Sequence, residues 1–214
     1  MNTSQASVGS AGNSERDPAP GSASPPNPMG AHIVQDPFAV SHVSSWSKKE
    51  KIGRAVWMIL GRPLFRCSFH NWYGYRRRLL RLFGAKIGDG TCIRPTCHVE
   101  IPWHIEIGRD CLIGDHSILY SLGQITIGDR VMISQYAHLC GGTHDHNKAA
   151  LPLLRTPITI ESDAWIAADA YVGPNVTVRR GAVLGARSSA FKDLPAWTVC
   201  IGNPARPVKQ REMT

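Results

Sequence analysis

Residues 87–133 read IGDGTCIRPTCHVEIPWHIEIGRDCLIGDHSILYSLGQITIGDRVMI, and within them an aliphatic residue recurs at every sixth position. Neither an α-helix, with a period of 3.6, nor an ordinary strand, with a period of 2, produces this spacing. A six-residue repeat is typical of a parallel β-helix, in which stacked coils bury one another's aliphatic side chains. The sequence therefore predicts a mainly β fold with three hexapeptides in each triangular coil. The repeated positions are Ile87, Ile93, Val99, Ile105; Ile107, Ile113, Leu119, Ile125; Ile127, Ile133, Leu139; and Ile160, Ile166, Val172, Val178, Leu184, Ala190.

Departures from the repeat are also informative. A small residue such as Gly88 or Gly108 often follows the aliphatic one, and we expect it to let the chain turn a corner. Two extra residues occur at Ile105/Ile107, at Ile125/Ile127 and at Ile158/Ile160, which predicts corner bulges. A longer interruption, residues 141–157, reads GGTHDHNKAALPLLRTP. Loops of more than about a dozen residues are uncommon and often functional, so we expect this loop to carry function.

The beginning of the chain differs in composition from the rest. Residues 1–35 are rich in Ser, Gly, Ala and Pro, which predicts a disordered tail. This segment lacks the apolar core of a signal peptide, and the apolar run 55–60 is too short to span a bilayer. We therefore expect a cytoplasmic protein. No CxxC pair occurs, which predicts reduced thiols at Cys67, Cys92, Cys97, Cys111, Cys140 and Cys200.

Residues 46–83 form a basic segment with helical character, in which Glu50 is the single acid. One role for such helices is to cap the open end of the β-helix, because terminal repeats need covering. Another is peripheral attachment to an anionic membrane through a basic amphipathic helix, and the two roles are compatible. No recognised nucleic-acid motif accompanies the charge, so we expect no nucleic-acid partner.

From about residue 83 to residue 208 the chain resembles hexapeptide-repeat O-acetyltransferases, and it looks most like those of colanic-acid and other exopolysaccharide gene clusters. The resemblance is specific where the TH of the loop, the WIA and the final GNPA with its preceding KD occur together. It implies a left-handed parallel β-helix over residues 84–208, with the loop 141–157 inserted in it. The segments that carry it are RLFGAKIGDG (81–90), LYSLGQITIGDR (119–130), ISQYAHLCGGTHDHN (133–147), DAWIAADAYVGPNVTV (163–178) and GAVLGARSSAFKDLPAWTVCIGNPARPVK (181–209).

The resemblance also implies an activity: transfer of an acetyl group from acetyl-CoA to a hydroxyl of a saccharide or lipid-linked saccharide, in exopolysaccharide or envelope biosynthesis, by a homotrimer. This reaction needs a base for the hydroxyl proton and then an acid for the departing thiolate. Histidine, with an ordinary pKa of about 6.5, can do both near neutral pH. His144 matches the catalytic histidine of the family, and His146 is the fallback.

Further site residues follow from the same match. Asp145 is a candidate to orient a histidine, and Ser121 stands where relatives commonly have an asparagine near the substrates. Trp165 matches a tryptophan near the donor and acceptor sites. The positions that the resemblance places along the coenzyme are Ala168 and Ala186 beside its pantetheine arm, and Lys192 and Arg206 near its phosphates.

Two other classes of protein compete with this interpretation. A γ-carbonic-anhydrase-like zinc hydratase shares the β-helix, and His138, His144 and His146 are possible zinc ligands. The spacing HLCGGTHDH departs from the hydratase pattern, however, and the GNPAR tail favours the acyltransferase, so we expect no metal. The other competitor is a non-catalytic β-helix scaffold, which the presence of His144 disfavours.

Overall fold

The computed structural model describes residues 46–213, so the tail predicted at residues 1–35 lies outside the described residues. Most of the described chain is a parallel β-helix with three faces, called A, B and C here. Face A contains β1 (Lys86–Ile87), β4 (Ile105–Ile107), β7 (Ile125–Ile127), β12 (Ile158–Ile160) and β15 (Thr177–Val178). Face B contains β2 (Cys92–Ile93), β5 (Leu112–Ile113), β8 (Met132–Ile133), β13 (Trp165–Ile166), β16 (Val183–Leu184), β18 (Thr198–Gly202) and the final β19 (Ala205–Gln210). Face C contains β3 (His98–Val99), β6 (Ile118–Tyr120), β9 (His138–Cys140), β14 (Tyr171–Val172) and β17 (Ser189–Ala190).

The strands stack in register, so that equivalent repeat positions form continuous columns. On face B, for example, Ile93 pairs with Ile113, and Ile113 pairs with Ile133. All three side chains are fully buried, as is Cys200 at the far end of the same face. The parallel β-helix predicted from the six-residue repeat is confirmed.

The extra residues of the repeat lie where face C passes into face A. They do not form bulges, because the isoleucines at both ends of β4, β7 and β12 point inward. The two extra residues therefore lengthen β4, β7 and β12 to three residues each.

The glycines that follow the aliphatic residues also differ from expectation. A Cβ atom on Gly108 would lie 2.7 Å from the carbonyl carbon of Gly128 in the next coil. Glycine is thus needed at this position because neighbouring coils approach closely. The left-handed backbone comes two residues later, at Asp110, where φ is 55°.

Four helical pieces precede the first coil. They are α1 (Lys48–Val56), a π-helical turn (Trp57–Gly61), α2 (Arg62–Arg66) and α3 (Tyr73–Leu82). Gly61 and Pro63 do not interrupt the chain's helical course, since the π turn leads directly into α2, whose first turn accommodates the proline. A short 3₁₀ turn, Pro102–His104, follows β3. No helix among residues 46–213 is long and apolar enough to cross a membrane.

The helices close the first coil by hydrogen bonding as well as by apolar packing. Inside the β-helix, an amide of one coil donates to a carbonyl of the next, as from Gly88 N to Ile107 O at 2.7 Å. The equivalent carbonyls of the first coil have no preceding coil, and side chains of the helices donate to them instead. On each face one such bond occurs: Arg81 Nε to Ile87 O at 2.9 Å, Arg76 Nε to Ile93 O at 2.6 Å and Trp57 Nε1 to Val99 O at 2.9 Å. Arg77 Nη1 adds a further bond to Thr91 O at 2.9 Å. We propose 46–83 as a helical cap and 84–208 as the β-helix domain, whose last strand continues to Gln210.

Arg76 is the most buried of these donors. Its side chain has no exposed surface and also donates to Ser68 Oγ, Phe69 O and His70 O, each at 2.7 Å. Burial lowers the pKa of this guanidinium, but neutral carbonyl and hydroxyl acceptors satisfy its N–H groups.

Replacing Arg76 by Met should lower the free energy of unfolding by at least about 3 kcal/mol, because several buried acceptors lose a charged donor. The control is Arg78→Met, two residues away on the same helix, where the side chain is exposed and the change should stay within about 0.5 kcal/mol. Urea denaturation at equal protein concentrations compares them. Equal stability of the two variants would contradict the proposed capping role.

Candidate active site

A β-hairpin leaves the β-helix between β9 on face C and β12 on face A. Its strands are β10 (Gly142–His144) and β11 (Leu153–Arg155), which pair antiparallel with His144 opposite Leu153. The segment 141–157, which was predicted as a loop, therefore contains a two-stranded antiparallel hairpin. In a triangular coil, the corner between faces A and C lies opposite face B.

His144 is exposed at the end of β10, and its ring is oriented by the hairpin itself. Its Nδ1 atom lies 2.5 Å from Leu151 O. Because a carbonyl can only accept, the neutral ring carries its proton on Nδ1 and its lone pair on Nε2. Leu151 reaches this position with φ of 43°, a conformation that leucine rarely adopts and that is often found at functional sites.

The neighbours of His144 in the sequence do not contact its ring. The Asp145 carboxylate accepts from Asn147 N at 3.1 Å and pairs with Lys148 Nζ at 3.4 Å, so it shapes the turn. The His146 side chain is exposed and makes no hydrogen bond within residues 46–213. These contacts give no support to Asp145 as an orienting residue for His144, a role that the Leu151 carbonyl fills.

Ser121 lies at the same corner, one coil earlier. It is fully buried, and its hydroxyl donates to Ile101 O and accepts from Ile101 N, both at 2.9 Å. Both hydrogen-bonding functions are thus occupied within the protein. This geometry favours a structural role over direct contact with a substrate.

A row of aromatic side chains follows face C beside the hairpin. The His138 ring meets Tyr120 and Tyr171 edge to face, at centroid distances of 6.4 and 5.4 Å. Burial lowers the pKa of His138, and the nearby His98 adds to this effect. Burial, followed by the hydrogen bond with Cys140, raises the pKa of Tyr171 to about 12. His138 and Tyr171 are therefore uncharged near neutral pH. Tyr120 and Tyr171 were not among the site residues predicted from the sequence.

The residues matched to the coenzyme fall into different places. Lys192 is exposed at the A–C corner, two coils beyond the hairpin. Ala168 and Ala186 stack at the B–C corner, where Ala168 O accepts from Arg187 N at 2.9 Å. Trp165 and Arg206 are exposed on face B, opposite the corner that carries His144.

Trp165 borders a groove on face B. Its Nε1 donates to Ser134 Oγ at 2.9 Å, and the ring remains 40% exposed. The groove has a volume of about 770 Å³ and is lined by Trp165, Val183, Val199 and the C-terminal Lys209 and Arg211 among others. Lys209 and Arg211 were not among the residues predicted from the sequence, because nothing in it shows that β19 folds back beside β18.

Within one chain, the candidate residues therefore lie at three places: the A–C corner, the B–C corner and face B. His144 lies at one corner, with Lys192 further along it, whereas Trp165 and the groove lie on the opposite face. Among residues 46–213, no three His, Cys, Asp or Glu side chains are grouped so that they could hold a metal ion. His138 lies on face C itself, not on the hairpin with His144 and His146.

Several known proteins similar to this chain are named acetyltransferases. The "Putative colanic acid biosynthesis acetyltransferase WcaF" of Escherichia coli K12 is 45% identical over 159 residues, which cover 74% of this chain and 87% of that protein. Nodulation protein L of Rhizobium leguminosarum bv. viciae is 35% identical over 143 residues, covering 65% of this chain and 73% of the relative.

Solved structures agree with these relatives. A hexapeptide-repeat acetyltransferase from Vibrio cholerae O1 biovar eltor, complexed with acetyl coenzyme A, superimposes with a TM-score of 0.72 at 25% identity and covers 81% of this chain and 95% of its own. No protein-family model matches the sequence. The repeat, the inserted hairpin with its histidine, and 45% identity over most of both chains lead to one conclusion. The chain belongs to the hexapeptide-repeat acetyltransferase family.

Proposed function

We propose that this acetyltransferase transfers the acetyl group of acetyl-CoA to a hydroxyl of a saccharide or lipid-linked saccharide during exopolysaccharide or envelope assembly. The similarity to a protein named for colanic acid biosynthesis supports the acceptor class. The acetyl-CoA complex of the Vibrio cholerae protein supports the donor. The observation that carries the proposal is the exposed His144 with Nδ1 held by a carbonyl and Nε2 free to take a proton.

The proposed chemistry uses His144 twice. Nε2 accepts the proton of the acceptor hydroxyl as its oxygen attacks the thioester carbonyl, which acetyl-CoA supplies. The new C–O bond forms and the C–S bond breaks, and the protonated ring then returns its proton to the departing thiolate. The Leu151 carbonyl keeps the Nδ1 proton in place and stabilises the imidazolium between the two transfers.

The donor side is proposed to follow face B and its neighbouring corner. Exposed Leu112, Met132 and Trp165 form an apolar column along this face, suited to the pantetheine arm. Arg206 and Lys209 are exposed cations on this face, suited to phosphates. Lys192 lies at the A–C corner with His144, so it would contact the phosphates of a donor held on face B of a neighbouring chain. The side chains present therefore fit acetyl-CoA chemically.

Replacing His144 by Ala should lower kcat about 10²–10⁴-fold, because general acid–base catalysis is lost, while acetyl-CoA binding stays nearly unchanged. His146→Ala is the matched control, two residues away and equally exposed, and should retain most activity. Release of the free thiol, measured against a panel of nucleotide sugars, free sugars and lipid-linked glycans, gives kcat, and calorimetry gives coenzyme binding. The assignment is wrong if His146→Ala loses turnover and His144→Ala keeps it.

We further propose a homotrimer in which each active site lies between two chains. The supporting observation is that His144 and Trp165 lie at opposite sides of one β-helix. A hairpin with three-residue strands spans about 10 Å, too little to carry the histidine around the coil. A neighbouring chain can bring its face B to this hairpin, and the apolar column on that face suits such contact.

Mixed trimers test the shared site. His144→Ala lacks the base, and Trp165→Ala/Arg206→Ala has a damaged donor face, so each variant alone should have little activity. When the two are refolded together, some interfaces combine an intact hairpin with an intact face B, and activity should return in part. Activity no higher than the sum of the separate variants, or sedimentation as a monomer at micromolar concentration, would contradict the proposal.

We also propose a cytoplasmic location with peripheral contact between the helical cap and an anionic membrane. The six cysteines form no disulfide, which is typical of a reducing compartment. On the outer side of the cap, Ile52, Ile59 and Leu60 are 65%, 70% and 56% exposed. Lys48 and Lys51 lie beside them and make no ion pair within residues 46–213, so an apolar stripe with a cationic margin faces outward.

Vesicle sedimentation tests this contact. The protein should bind vesicles that contain phosphatidylglycerol more strongly than vesicles of phosphatidylcholine, by up to about 1 kcal/mol for each lysine near the surface. Ile52→Glu/Ile59→Glu should abolish binding, whereas Phe191→Glu, an exposed apolar position outside the cap, should not. Equal binding to both lipids, or no effect of the double substitution, would argue against membrane contact.

A further inference from the structure

Arg155, in the second strand of the hairpin, links that hairpin to the helical cap. Its Nη1 atom lies 3.0 Å from Glu50 Oε1, and its guanidinium carbon lies 3.6 Å from the centre of the Trp46 ring. The Arg54 guanidinium also lies over this ring, at 4.3 Å. Both side chains of the ion pair are about three-quarters buried. This contact joins residues that are 105 positions apart in the sequence.

Glu50 is held rigidly on the cap side. Its Oε2 accepts from Ser47 N at 2.8 Å, and Glu50 N donates to Ser47 Oγ at 3.2 Å, which forms a capping box at the start of α1. The bonds from Ser47 come first among the causes that lower the pKa of Glu50 to about 2, and Arg155 adds to them. The carboxylate is therefore ionised at any pH at which the reaction is assayed.

The helix that carries Glu50 is itself fixed to the β-helix. Arg54 pairs with Glu100 at 2.9 Å, and Trp57 donates to Val99 O at 2.9 Å. The pKa of Glu100 is lowered to about 2 by its hydrogen bond with His98 and by Arg54, so this pair is also charged. The first turn of α1 is thus a rigid point of attachment.

The hairpin has little other support beyond its base. His144 bonds Leu151, and Asp145 bonds Asn147 and Lys148, all within the hairpin. Within the described chain, the side-chain hydrogen bonds and ion pairs of residues 143–155 stay inside the hairpin, except at Arg155, which reaches another element. Leu154 beside it is 43% exposed, so apolar packing adds little.

We propose that Arg155 is a positioning residue for the reaction: through Glu50 and Trp46 it fixes the direction of the hairpin and thereby the place of His144 Nε2. This inference rests on the proposed function of His144. Displacing a catalytic group by about 1 Å can lower the rate about 10²-fold, so a loose hairpin should impair turnover without unfolding the protein.

Kinetics of Arg155→Ala test the proposal. We expect kcat to fall about 10- to 100-fold, with the acetyl-CoA KM within about twofold of its original value. Glu50→Gln removes the charge but can keep the capping box, so it should give a smaller loss. Because both substitutions break the same contact, the double variant should be no worse than Arg155→Ala. The matched control is Arg179→Ala, whose ion pairs with Glu161 and Asp193 lie away from the hairpin and whose kcat should not change.

Two measurements separate positioning from a general structural role. Hydrogen exchange should accelerate at the amides of residues 142–155 in Arg155→Ala, while the amides of α3 keep their protection. In a His144→Ala background, Arg155→Ala should lower the residual rate no further, because the hairpin then carries no base to position.

The outcomes that overturn the proposal are distinct. A kcat of Arg155→Ala within twofold of the original, faster exchange throughout the molecule, or an additional loss in the His144→Ala background would each refute the positioning role. Failure of the proposed function is separate: it would appear as full turnover by His144→Ala itself.

Discussion

The backbone hydrogen bonds between coils are the interaction on which the rest of the structure depends. Because amides of one coil donate to carbonyls of the next, the stack has a direction, and its first coil presents carbonyls without donors. Exposed edges of this kind invite pairing with other chains. Arginine is a donor without acceptor capacity, which suits the positions of Arg76 and Arg81. The far end is closed differently, since β19 folds back antiparallel on β18. The arginines of α3 that face the first coil thus have a structural role.

The features predicted correctly from the sequence are those that repeat. A period of six fixes which side chains point inward, and Ile93, Ile113 and Ile133 lie where it requires. The role of the glycines was misassigned, because the sequence shows a small residue but not the neighbouring coil at 2.7 Å from a Cβ on Gly108. The contacts of Leu151 and Arg155 were invisible for a related reason. These contacts depend on how a segment outside the repeat folds back, and the six-residue period contains no information about the path of that segment.

The candidate site lies in the insertion because the repeat itself leaves little freedom. Outward residues of the coils are fixed beside their in-register neighbours, as Trp165 is between Met132 and Val183. A hairpin that leaves the stack can present His144 to solvent and to a neighbouring chain. It also gives up the support of adjacent coils, so its orientation has to come from elsewhere. Within the hairpin, the Leu151 carbonyl orients the His144 ring, and Leu151 adopts an unfavourable backbone conformation to reach it.

The segment that closes the stack is also the one that touches the hairpin. Arg76, Arg81 and Trp57 face the first coil, whereas Glu50 meets Arg155 of the hairpin. Arg54 connects the two functions, since it pairs with Glu100 and lies over the Trp46 ring. A change in the cap can therefore reach the proposed base through the Glu50–Arg155 ion pair and the Trp46 ring, without passing through the β-helix core. If Arg155 positions the hairpin as proposed, the position of α1 also sets the geometry at His144, and the N-terminal helices are connected to the proposed base through this contact.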